Sequence, residues 1–72
     1  MSKAIDIHVG GRIRGRREEL RLTAATLSRA GGCSENDVRL IEIGDMRPDA
    51  DLLARLAQTL GVKLAYFFEG FA

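Results

Sequence analysis

The stretch from Thr23 to Gly44, Thr-Ala-Ala-Thr-Leu-Ser-Arg-Ala-Gly-Gly-Cys-Ser-Glu-Asn-Asp-Val-Arg-Leu-Ile-Glu-Ile-Gly, constrains the fold more than any other part of the chain. Thr23 and Ser34 are residues whose side-chain oxygen accepts from the free N–H groups at a helix start, and each precedes helix-compatible residues. Gly31-Gly32 breaks the chain between them. The spacing predicts two helices of about seven or eight residues joined by a tight turn. Ser34 and Asp37 form a shortened capping box, and Glu35 and Asp37 place negative charge at the positive end of the second helix's dipole.

Two short helices cannot bury their apolar faces alone, so the rest of the chain must cover them. Its 72 residues suffice for one small domain, which buries only a little over ~60% of its unfolded surface and gains from oligomerisation. With 46% hydrophobic and 29% charged residues the composition is that of an ordinary soluble globular chain. No apolar run approaches the ~18 residues of a membrane span. Met1-Ser2-Lys3 leads to Asp6, His8 and two glycines rather than to an apolar leader, so a cytoplasmic location is expected. One cysteine, Cys33, and one histidine, His8, can make neither an internal disulfide nor a zinc site. No glycine-rich phosphate loop is present and no nucleophile stands beside a base, so neither an enzyme nor a cofactor is expected.

The net charge is only +1, but it is unevenly placed. Residues 1–30 hold seven Lys and Arg against three Asp and Glu, and residues 31–72 hold four against seven. A basic front matters for nucleic acid because phosphate contacts are local.

Taken in order, residues 1–8 read as a polar lead-in, with His8 a surface or capping residue, and residues 9–72 as the domain. Val9, Ile13 and Leu20 fall at helical spacing and define a strongly basic first helix. Arg12, Arg14, Arg16, Arg17 and Arg21 cannot all face the core. Glu18 and Glu19 can pair with about half of them, leaving the remainder for phosphate. In the second helix the small residues Ala24, Ser28 and Gly31 beside Leu27 permit close approach of another helix. In the third, setting Val38 and Ile41 inward brings Glu42 beside them, points Asn36, Leu40 and Ile43 outward and leaves Arg39 and Asp37 on the flanks. Gly44 ends it, Asp45-Met46-Arg47 forms a loop, and Asp49 caps a fourth helix whose stripe is Leu53, Leu56, Ala57 and Leu60. After Gly61 a fifth short helix fits Leu64, Tyr66, Phe67, Phe68 and Phe71, an aromatic cluster that reads as core lid, dimer contact or both.

Two short helices and a glycine turn are the pattern of a helix-turn-helix. The spacings of Gly10-Gly-Arg-Ile-Arg, Leu22-Thr, Leu27-Ser, Gly32-Cys-Ser, Ile41-Glu, Gly44, Pro48, Leu53, Leu56-Ala57 and Leu60-Gly-Val resemble the lambda repressor/Cro (XRE) family over residues 9–68. The opening and closing segments resemble a bacterial subgroup of small single-domain regulators. The resemblance implies an all-α, five-helix lambda repressor-like domain with its helix-turn-helix at about residues 23–42. It also implies an ion pair between Arg17 and Glu42 that ties the first helix to the third. The bottom-up reading agrees, since a carboxylate on the inward edge of a helix needs a cation. Cys33 stands where the family has valine and serves as a small hydrophobe.

The departures from the family fall on the DNA-facing positions. Ala24 replaces a glutamine that donates to phosphate, although Thr23 and the N–H groups of that helix terminus can still hold an anion. Glu35, Asn36, Asp37, Leu40 and Ile43 stand where Gln, Lys, Arg or Ser are usual, and Asp45 replaces a common Lys or Arg. The reading favoured by the resemblance is sequence-specific binding of double-stranded DNA by a homodimeric transcriptional regulator, a repressor, with the recognition helix at about 35–43 in the major groove. Its DNA-binding set is Thr23, Ser34, Glu35, Asn36, Arg39, Leu40 and Arg47, with Arg12 or Arg16 adding electrostatic hold. In that set Asn36 suits adenine, Glu35 cytosine N4, Leu40 a thymine methyl, and Arg39 and Arg47 guanine or phosphate. The alternative is a degenerate helix-turn-helix that docks a protein partner, a toxin or another regulator, through exposed Leu40 and Ile43.

Overall fold

The computed structural model describes residues 3–71. Four α-helices follow one another, α1 (Lys3–Glu19), α2 (Ala24–Gly31), α3 (Glu35–Glu42) and α4 (Ala50–Leu60), and a 3-10 helix (Leu64–Phe68) completes the order, with no strand among the described residues. The all-α expectation holds, but the expected fifth helix is one 3-10 segment of five residues. Its job is to bring Phe67 into the core, and Phe67 is fully buried.

The expected lead-in over residues 1–8 is corrected as well: α1 starts at Lys3, so residues 3–8 are helix, while Met1, Ser2 and Ala72 lie outside the described residues. Asp6 in its first turn and Arg16 and Arg17 in its last suit the dipole. Gly10, Gly11 and Gly15 are poor helix formers, so α1 depends on tertiary contact. At its end Leu22 N–H donates to Arg17 O and Arg21 N–H to Glu18 O, with Arg21 in the left-handed region at φ 58°. Leu20, assigned to the inward stripe from its spacing, falls just beyond the helix and is exposed.

The central turn forms by local chemistry. Thr26 N–H donates to the Thr23 hydroxyl at 3.0 Å, capping α2. Gly32 leaves the helix in the left-handed conformation at φ 72°, and Cys33 N–H returns to Ser28 O. Asp37 N–H donates to Ser34 Oγ at 3.0 Å while Ser34 N–H donates to Asp37 Oδ2 at 3.2 Å, completing the capping box of α3. Asp49 accepts from Leu52 N–H at 2.8 Å to start α4, and Gly61 closes it.

These ends aim the helices at one core of Val9, Ile13, Leu27, Val38, Ile41, Leu52, Leu53, Leu56, Ala57, Leu60 and Phe67. Two contacts fix α1 and α2 within it. A Cβ on Gly10 would lie 2.1 Å from Ile41 O, so α1 touches the backbone of α3 directly. Gly31 at the end of α2 sits against Leu52 and Leu56 of α4, and Arg55 Nε donates to Gly31 O at 3.0 Å. No helix among the described residues is long and apolar enough to cross a membrane.

Candidate nucleic-acid interface

The sequence of α3 sorts its side chains by 100° steps. Val38 and Ile41 enter the core, and Asn36, Arg39 and Ile43, the last at the helix end, stand exposed. Leu40, expected to point directly out beside Ile43, is only partly exposed, because residue 40 lies just 100° from the inward Ile41 and so falls on the flank of the helix. The apolar patch expected of Leu40 and Ile43 is thus carried by Ile43. Glu35 is half-buried and pairs with Arg39 one turn on.

Behind α3, Arg17 Nε donates to Glu42 Oε2 at 2.7 Å and Nη2 to Glu42 Oε1 at 3.1 Å. A third bond runs from Arg17 Nη1 to Leu22 O at 2.8 Å, so one guanidinium joins α1, the first turn and α3. The side chains are only 15% and 6% exposed, and the bond to Glu42 holds the Arg17 pKa above its ordinary value against the opposing effect of burial.

Arg14 stands three residues before Arg17, one turn along the same face of α1. With Arg17, Ala24, Arg39, Glu42 and Ile43 it lines an open groove of about 370 Å³ between α1, the start of α2 and α3. Thr23, beside Ala24, is exposed at this end of α2. Arg14 is one of the four arginines of α1, but spacing alone did not assign it to this groove. The signal is its place four residues after Gly10 and three before Arg17, both fixed against α3.

The loop after α3 is held to the start of α1. Gly44, at φ 84°, meets Ile7 so closely that a Cβ would fall 2.6 Å from Ile7 Cγ1. Lys3 Nζ lies 2.5 Å from Asp45 Oδ1, and Arg47 Nε donates to Asp6 Oδ1 at 2.7 Å. Lys3 and Asp6 were hidden from sequence reasoning because they fell in the supposed lead-in.

Arg12 is placed elsewhere. Its Nε donates to Tyr66 O at 3.1 Å, its Nη2 to Glu69 at 3.3 Å, and its guanidinium lies 3.9 Å above the Tyr66 ring. The structure thus brings Arg12 to the carboxyl-terminal 3-10 helix rather than to α3, a correction to its expected role in electrostatic hold. Arg16 likewise donates to Leu60 O at 2.9 Å and serves the end of α4. His8, expected to be a surface or capping residue, hydrogen-bonds Glu69 O at the end of the 3-10 helix at 2.7 Å and packs its ring on Phe71. Ser34, assigned to the DNA-binding set, accepts from Asp37 N–H at the cap of α3 and is exposed there.

Cys33 is half-buried against the core. Burial pushes its thiol pKa up, Asp37 adds to the effect and Arg55 opposes it, so the group behaves as a protonated small hydrophobe. No metal-binding group of His, Cys, Asp and Glu occurs among the described residues.

Two capped helices of eight residues, joined by a three-residue turn and backed by a buried ion pair to the preceding helix, define a helix-turn-helix. The chain belongs to the Helix-turn-helix family, whose profile matches residues 13–67. An uncharacterised HTH-type transcriptional regulator of Sinorhizobium fredii is 41% identical over 66 residues, covering 92% of this chain and 46% of that protein. An uncharacterised transcriptional regulator in the ATPase CF(0) region of Rhodospirillum rubrum is 41% identical over 65 residues, covering 90% of this chain and 60% of that protein. The chain therefore spans about half the length of these curated relatives.

Among solved structures, the restriction-modification controller protein C.AhdI from Aeromonas hydrophila superposes with a TM-score of 0.85 at 25% identity, over 90% of this chain and 98% of that one. The P22 c2 repressor, solved in complex with a synthetic operator, gives 0.81 at 29% identity, over 86% of this chain and 94% of that one. The fold is that of a lambda repressor-like helix-turn-helix domain.

Proposed function

We propose that the chain binds double-stranded DNA sequence-specifically as a transcriptional regulator, acting as a repressor in the cytoplasm. The observation that carries this reading is the exposure of Asn36 at the amino end of α3, on the same helix whose Arg39 lines one groove with Arg14 of α1 and Ala24 at the start of α2. The likeness to a repressor solved on an operator supports it.

In this reading α3 enters the major groove, Asn36 makes two hydrogen bonds to adenine, and Glu35 accepts from cytosine N4. Leu40 offers its exposed part to a thymine methyl. Thr23 and the free N–H groups at the start of α2 hold a phosphate, and Arg14 takes the electrostatic role first given to Arg12. Arg39 and Arg47 reach guanine or phosphate by leaving their present acidic partners. Two copies related by a two-fold axis read half-sites about one helical turn apart. Leu64, Phe68 and Phe71, each more than two-fifths exposed, supply an apolar surface for that pairing.

The test is a salt-titrated binding assay with random and genomic-fragment duplexes. Log K falls linearly with log salt and a subset of fragments is enriched. No salt dependence and no enrichment would remove the proposal. Asn36→Ala relaxes preference at one base position by ~1–3 kcal/mol, and an unchanged selected motif would take Asn36 out of base readout.

A further inference from the structure

Residues four apart on a helix are neighbours on its surface, with Cβ atoms ~5–6 Å apart. On α3 such neighbours are Glu35 and Arg39, whose side chains are 41% and 64% exposed. Arg39 Nη2 donates to Glu35 Oε2, which draws the guanidinium toward the amino end of the helix, where Asn36 is exposed. Neither residue belongs to the core, and an exposed pair of this kind opens at little cost. What the two groups offer each other is also what one base pair offers in the major groove. The guanidinium presents a fork of donors and the carboxylate an acceptor. A C·G pair presents the acceptors N7 and O6 of guanine and, beside them, the N4 donor of cytosine. A T·A pair leaves the guanidinium one acceptor, N7 of adenine, and sets the acceptor O4 of thymine where the carboxylate would come.

We infer that Glu35 and Arg39 exchange their mutual contact for a single C·G base pair, Arg39 donating to guanine O6 and N7 and Glu35 accepting from N4 of the paired cytosine. The two residues thus read both strands at one position as a coupled unit. The inference rests on the DNA-binding reading above, and goes beyond it by giving Arg39 guanine rather than phosphate and by tying both residues to the same base pair. Each group leaves its partner only where the other also finds a match. At any other base pair the exchange strands a donor or the carboxylate, and the ion pair stays closed.

The experiment selects duplexes from a random-sequence pool with the full chain, and repeats the selection with Glu35→Ala, with Arg39→Ala and with both. The wild type selects C·G at one position, and each single variant lowers that preference about tenfold at the same position. The double variant loses less than the product of the two single losses, because the residues act together. In the selected duplex, 7-deazaguanine, which lacks N7, lowers the affinity of the wild type and not that of Arg39→Ala. Preferences relaxed at two different positions, or a double variant equal to the product, would overturn the inference. So would an Arg39→Ala protein that weakens on all sequences alike with a salt slope shallower by about 0.9, the mark of a phosphate contact. A wild-type motif that none of the variants alters defeats this inference alone, and a wild type that enriches no sequence defeats the sequence-specific reading with it.

Discussion

Arg17 shows how much one side chain can organise when its planar fork finds three acceptors. Two bonds go to Glu42 and one to Leu22 O, so the guanidinium fixes the distance between α1 and α3 and the path of the chain between α1 and α2. Glu42→Gln leaves a buried cation without its counter-charge and lowers stability by about 3 kcal/mol, measured as the urea midpoint at constant slope. Replacing both partners, Arg17→Met with Glu42→Leu, recovers stability to within ~1 kcal/mol, because an apolar pair does not carry the desolvation penalty of the ions. A single variant as stable as wild type would show that the pair does not hold α1 to α3. Glu42 was legible from its place on the inward edge of its helix, which calls for a cation, whereas Arg17 as that cation came from the family resemblance. The Leu22 bond was not legible, because it depends on how the chain turns after Glu19.

At the scale of the element, α1 carries the part of the site that was hardest to read. Its face toward α3 is Lys3, Ile7, Gly10, Arg14 and Arg17, a spacing of four, three, four and three residues. Lys3 meets Asp45, Ile7 meets Gly44, Gly10 meets Ile41, Arg14 lines the groove and Arg17 meets Glu42. The period is helical, but the stripe mixes a cation, an apolar side chain and a glycine, so a count of apolar residues passes over it. For the same reason the start of α1 was placed at Val9 when the helix begins at Lys3. The caps of α2, α3 and α4 were legible because a cap is chemistry among residues close in sequence. The arginines were not, because whether each takes an acid, a carbonyl or solvent depends on elements up to 57 residues away, as for Arg12 and Glu69.

Two glycine substitutions separate contact from propensity within this helix. Gly10→Ala pushes a methyl into Ile41 O and costs about 2–3 kcal/mol by overpacking. Gly11→Ala has open space around it and gains ~0.5–1 kcal/mol by removing a glycine from a helix interior. Thermal unfolding should move in opposite directions for the two, by about 4–8 °C per kcal/mol in a chain of this size. A Gly10→Ala protein that melts at the wild-type temperature would mean that α1 can slide away from α3.

For the whole molecule, the aromatic cluster divides between the core and the surface, and the buried part answers the core-lid reading. Phe67 is fully buried and closes the core, whereas Phe68 and Phe71 join Leu64 on the outside. Phe68→Ser with Leu64→Ser therefore removes exposed apolar surface while leaving Phe67 in place. Sedimentation should show the wild-type chain as a dimer and this variant as a monomer. The variant's affinity for a two-half-site duplex falls further than for a single half-site, since linked half-sites bind as one unit. Two proteins that both sediment as dimers would move the pairing surface elsewhere, and a monomeric wild-type chain would remove the pairing.

The bonds from His8 and Arg12 to Glu69 and Tyr66 span 61 and 54 residues, and they bear on the order in which the molecule is made. During synthesis α2 and α3 emerge complete, with local caps and a local turn. Yet α1, which positions them, keeps its own back uncovered until Tyr66 through Glu69 arrive. The recognition helix is thus set firmly in place only as the residues that would recruit a second copy leave the ribosome. On the proposed function, the surface that meets DNA and the apolar surface offered to a second copy take shape at the same moment in a nascent chain.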